Sequence, residues 1–192
     1  TAGVSDFLQE DGAAHVLVTP SGCRNALVRM DLMPERSDVY ALIPQAEDYI
    51  FGIEETAAAE TGALAATGAY RTVHLLSSPV PAFMAMETTP VLQAAEEHGC
   101  RACASPTDGF HDAVYGAAEA ALRLVQEAFN GWWEAGRTAL ILGYSPLLFG
   151  DIAQLNPPTA FLTTCGCDVC TAGHDALTER PSLVWLVSAA GV

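Results

Sequence analysis

Cys23 stands directly after an apolar run, Ala14-His-Val-Leu-Val-Thr19, and the turn Pro20-Ser-Gly22. A cysteine in such a place, after a strand and near a helix start, sees the partial positive charge of backbone N–H groups. That charge favours thiolate, the form that binds metal. The competing expectation is a buried structural thiol, since free cysteine is among the most buried residue types. A second group is Ser77-Ser78-Pro79-Val80-Pro81, which places two hydroxyls after another apolar run. Its bland alternative is a serine turn in which prolines end a strand. The third group is Cys165-Gly-Cys-Asp-Val-Cys170, with His174 beyond. Spacings of C-x-C and C-x2-C suit zinc or an iron–sulfur cluster. No second C-x2-C lies near it in the chain. The other such pair, Cys100 and Cys103, falls beside and within a β-rich run, where Cys103 reads equally well as core.

These groups need elements to hold them, and the chain alternates short β-rich runs with longer helical ones. Strands are expected at 14–19, 38–43, 71–77 and 101–105. They are rich in Val, Ile and Leu without strict alternation, as strands covered on both faces are. Helices are expected at 53–66, at 87–98 with a stop at Gly99, and at 112–133, where Val114, Ala118, Ala121, Leu122, Val125 and Phe129 form an apolar stripe. The pattern restarts after Gly131 to Gly136. A strand at 138–142, a short helix at 147–155, a strand at 160–164, a cysteine-rich loop, a helix at 173–179 and a strand at 183–188 are expected there. Such repetition predicts an α/β fold, a Rossmann-like doubly wound and mostly parallel sheet. Residues 1–136 are expected to form one full domain. Residues 137–192 are expected to form part of a second, cut short at its end. In such sheets ligands bind at the carboxyl ends of the strands, where Cys23 and Ser78 fall.

Composition narrows the function. The chain has 192 residues, of which 51% are hydrophobic and 16% charged, with a formal charge of −15. An acidic surface repels phosphate backbones and anionic lipid, and the eight Lys and Arg residues are scattered. Nucleic acid is therefore not an expected partner, whereas a basic protein is an acceptable one. No apolar run reaches the roughly 18 residues of a spanning helix, and the start has no secretory pattern, so a cytoplasmic, reduced setting is expected. Dinucleotide, P-loop and nucleophile-elbow motifs are all missing.

The ordered segments resemble the nitrogenase component 1 family. Pro20-Ser-Gly-Cys23 resembles its first cluster-ligand segment. Ala46-Glu-Asp-Tyr-Ile-Phe-Gly-Ile-Glu-Glu55 looks like its acidic E-x-D-x-[VI]-F-G signature, the most specific piece. Thr107-Asp-Gly-Phe110 resembles its Gly-Phe loop, and Leu142-Gly143 with Gly150-Asp151 resembles the opening of its second domain. Two departures stand out. Ser77 and Ser78 occupy the place where the family commonly has a second cluster cysteine, and Ala85-Met86-Glu87 replaces its Gly-Asp-Asp.

The resemblance implies an oxidoreductase subunit that receives electrons from an ATP-dependent iron–sulfur reductase, through an iron–sulfur cluster near Cys23, Gly22 and Ser78. It also implies a homo- or hetero-oligomer with a related subunit. The alternative in the same fold is a scaffold without catalysis that binds a metallocofactor or a tetrapyrrole. A third expectation is a metal site, zinc for instance, at Cys165, Cys167 and Cys170.

Overall fold

The computed structural model describes residues 12–23, 38–105, 109–111, 115–116, 118–119, 122, 136–144, 152–171, 175 and 181–187. In chain order the described elements begin with strands β1 (Ala13–Val18) and β2 (Asp38–Leu42), then helices α1 (Asp48–Phe51) and α2 (Glu54–Ala66). Strand β3 (Thr72–Ser77), helices α3 (Pro79–Phe83) and α4 (Thr89–Glu96), and strand β4 (Arg101–Ser105) follow. Strand β5 (Thr138–Leu142), helix α5 (Asn156–Thr164), strand β6 (Asp168–Thr171) and strand β7 (Leu183–Leu186) come last. Two parallel sheets result, ordered β2-β1-β3-β4 and β6-β5-β7. This is the Rossmann-like α/β class that the alternation of runs predicts.

Every residue of β1 is buried, as an apolar run without alternation requires in a sheet covered on both faces. Val16 and Val18 of β1 join Leu42, Val73 and Leu75 in one core with Ala57 and Ala65 of α2 and Val91 and Ala95 of α4. Glu54 and Glu55 in the first turn of α2 complement the positive end of its dipole. Helix α4 stops at Gly99, whose φ of +80° costs a glycine little, and Cys100 N–H bonds back to Ala95 O at 3.3 Å.

The structure corrects the reading of residues 160–164, which are helical. Two prolines, Pro157 and Pro158, sit in the first turn of α5, where a missing N–H has no intrahelical partner to lose. The β-branched Thr163 and Thr164 turn their hydroxyls back to Thr159 O and Ala160 O, at 3.0 and 2.8 Å. The cysteine-rich loop is likewise part strand, since β6 begins at Asp168. The serine–proline turn continues as the short helix α3. Most of the expected helix at 112–133, residues 147–151 and nearly all of 173–179 lie outside the described residues. Residues 152–155 form a 3-10 turn.

Candidate functional site

The order β2-β1-β3-β4 sends the chain outward from β1 to β2, then back across β1 to β3. The ends of β1 and β3 therefore flank the point where strand order reverses, the crevice such folds use for ligands. Two hydrogen bonds clamp the ends together: Thr19 N–H to Leu42 O, and Ser78 N–H to Val18 O, both 3.0 Å. Residues Ser21–Cys23 continue from β1 as one 3-10 turn, closed by Cys23 N–H on Pro20 O at 2.9 Å. All three are exposed, so Cys23 is an accessible thiol and the buried structural reading fails. A Cβ built on Gly22 meets nothing within 4 Å, which leaves the approach to this turn open.

Ser78 sits at the end of β3, 4% exposed, as the N-cap of α3. Its hydroxyl makes no capping bond. Pro81, the third residue of that helix, has no N–H, which removes one of the two donors an N-cap oxygen uses. The Ser78 Oγ is buried with no hydrogen-bond partner among the described residues. Tyr49, on α1 after β2, has a hydroxyl in the same condition. Burial holds its phenol above the ordinary value, reinforced by the nearby charges of Asp48 and Cys23. The segments that follow β1, β2 and β3 thus carry an exposed thiol at Cys23 and buried hydroxyls at Tyr49 and Ser78. Sequence reasoning singled out Cys23 and Ser78 but not Tyr49, although Tyr49 lies inside the acidic signature.

The acidic signature is itself a folded unit. Asp48 Oδ2 accepts from Gln45 N–H and Oδ1 from Thr56 Oγ, both at 2.6 Å. These bonds, that of Thr56 first, hold the Asp48 carboxyl below its ordinary value of 3.8. The ionised form is favoured by the fold, so its contribution is present above pH 3.8 and fades as pH falls below it. Thr56→Val removes the larger cause, and carboxyl NMR titration should show the Asp48 pKa rising toward 3.8. An unchanged value would mean that the Thr56 bond does not form. Ile50 and Phe51 on the same turn are 75% and 86% exposed, and exposed Phe83 and Phe110 meet edge to face at 5.2 Å.

The remaining cysteines lie elsewhere. Cys100 donates to Tyr70 O at 3.2 Å. Cys103 lies in β4, in register with His74 of β3, which is in register with His15 of β1. A hydrogen bond of 2.7 Å joins His74 Nδ1 and Cys103 Sγ, and the two imidazoles meet edge to face at 5.0 Å. Both histidines are buried, as residues inside central strands should be. Cys165 is exposed at the end of α5, Cys167 is half-buried beyond it, and Cys170 is buried in β6. Burial, followed by the charge of Asp175, pushes the Cys170 thiol up to about 12. Among the described residues no three His, Cys, Asp or Glu side chains gather as a metal-binding set, and His174 lies outside those residues. Nor, among them, is any helix long and apolar enough to cross a membrane.

No family model matches this chain, and no curated protein matches it. Solved structures do. One is "Nitrogenase Cp1 at pH 6.5", at 16% identity and a TM-score of 0.75, covering 99% of this chain and 40% of the other. Another is "Nitrogenase Cp1 at pH 5", at 15% identity and 0.75, covering 99% and 42%. The chain therefore has a nitrogenase-like fold and spans about two fifths of the length of these neighbours.

Proposed function

We propose that this chain is part of a nitrogenase component 1-like oxidoreductase subunit, in which Cys23 helps to hold an iron–sulfur cofactor fed by an ATP-dependent iron–sulfur reductase. One observation carries the reading: Cys23 is an exposed thiol at the strand-order reversal of a nitrogenase-like sheet. The donors at this end fit a shared site. Cys23 gives one thiolate, Ser78 and Tyr49 give hydroxyls, and the other thiolates come from a related subunit. The exposed Ile50 and Phe51 suit a covering partner, and the acidic rim of Glu47, Glu54 and Glu55 suits basic groups on it. When bound, the cluster supplies one-electron chemistry, while this chain supplies ligation, burial and hydrogen bonds. In this reading residues 1–136 are the first unit and residues 137–192 are part of a second.

Anaerobic reconstitution with iron and sulfide tests this. At least about one iron per chain and an EPR signal are expected, as cysteine ligation of a cluster requires. Both should fall sharply in Cys23→Ser. Less iron than that, with no difference in Cys23→Ser, would overturn the reading. The scaffold reading is favoured by one specific feature, the serines in place of a second cluster cysteine. It predicts a thermal shift with a metallocofactor or a tetrapyrrole and no reductase-dependent turnover.

A further inference from the structure

The turn that ends α5 offers two thiols with no part in the site above. Cys165 N–H bonds to Phe161 O, Gly166 N–H to Thr163 O, and Cys167 N–H to Leu162 O, at 3.0, 2.9 and 3.1 Å. This is a glycine-capped helix end with Gly166 at φ +81°. One residue separates the two cysteines, and the left-handed Gly166 between them turns the chain back at this point. Cys165 is exposed and Cys167 half-buried. A Cβ on Gly166 would come within 2.5 Å of Arg137 Nη2, so the guanidinium lies against the turn between the two cysteines. Arg137 is itself exposed. Cys170, by contrast, is buried in β6 and its thiol is held protonated by burial, which removes it from thiolate chemistry.

We propose that Cys165-Gly166-Cys167 is a dithiol–disulfide exchange site whose co-substrate is a small anionic disulfide, held by Arg137. In the first step the Cys165 thiolate attacks one sulfur of that disulfide. A mixed disulfide forms, and the other half leaves as a thiolate that takes up a proton. In the second step the Cys167 thiolate attacks Cys165 Sγ. The Cys165–Cys167 bond forms, and the second half leaves as a thiol. Two electrons pass from the protein pair to the co-substrate, and the two thiol protons pass to its halves. The glycine serves this chemistry twice, since it permits the positive φ and leaves room for the guanidinium.

The test is incubation of the whole chain with defined mixtures of reduced and oxidised glutathione, followed by intact and peptide mass spectrometry. Wild type is expected to lose the mass of two hydrogens, located to the peptide that holds Cys165 and Cys167. Cys167→Ser is expected to stop at one glutathione on Cys165. Arg137→Gln is expected to react several-fold more slowly with oxidised glutathione, and not with an uncharged disulfide of similar size. Circular dichroism checks that each variant is folded. A folded Cys167→Ser that carries no adduct on Cys165, or a wild type that oxidises equally in Cys165→Ser, overturns the proposal. So does bound zinc that shields Cys165 and Cys167 and is lost in Cys170→Ser, because the three thiols would then act as ligands.

Discussion

Leu75→Ala lowers the free energy of unfolding by about 3 kcal/mol, within the range of about 2–5 kcal/mol for buried leucine truncations. Leu75 is 2% exposed in β3. It stands in register with Val16 of β1 and Ala104 of β4, so sheet backbone walls it on two sides. The helices α2 and α4 close the core with Ala57, Ala65, Val91 and Ala95. These three alanines and one valine are short and lie on helices, so they cannot move in to fill the space. The urea midpoint should fall with the slope unchanged, because the native core stays one cooperative unit. Ile50→Ala is the matched control. Its side chain is 75% exposed, and its expected effect is under about 0.5 kcal/mol. A Leu75→Ala loss below about 1 kcal/mol would mean that the two helices do not pack on this sheet as described.

Ser78→Ala acts in the opposite direction. The chain without ligand should gain about 1 kcal/mol, because a buried hydroxyl with no partner carries a desolvation penalty of about 1–3 kcal/mol. The extended backbone of Ser78, at φ −89° and ψ 173°, suits alanine equally well, and the variant leaves the bond from Ser78 N–H to Val18 O in place. If the hydroxyl serves the ligand of the β1–β3 crevice, the same variant should bind that ligand more weakly. Gain of stability with loss of binding is the signature of a group retained for function. Chemical denaturation of wild type and variant, with and without reconstituted cofactor, reads both quantities. A less stable ligand-free variant would show that a water or another group already satisfies the hydroxyl.

The first sheet was legible because its strands are bounded by punctuation that the fold uses literally. Pro20, Pro44 and Pro79 follow β1, β2 and β3, and Gly99 ends α4. The site was half legible for the same reason. Cys23 and Ser78 are chemically distinctive residues one step past a strand, where a parallel sheet places its ligands. Tyr49 was not, since a tyrosine between an expected strand and an expected helix gives no sign that its hydroxyl will be buried without a partner. The segment 156–171 misled because short apolar runs carry no period that separates strand from helix. There the decision fell to Pro157 and Pro158 at a helix start, and to threonine hydroxyls that bond within the helix. Cys170 reads in the sequence as the third member of a ligand motif, and in the fold it is buried in β6, which pairs with β5 from Asp168 onward.

The central position of β1 also sets the order of events during synthesis. β1 is the first described strand made, and its partners are β2 and β3, with Ala13 opposite Thr72, 59 residues later. At translation rates of about 5–20 residues per second, β1 has no β3 partner for roughly 3–12 s. A segment such as Ala13–Val18, apolar except for His15, is most prone to misassociate in that interval, and parallel pairing offers no local hairpin to shelter it. The yield of folded chain should therefore depend on what shields β1 while the next sixty or so residues emerge, more than on the final stability of the sheet.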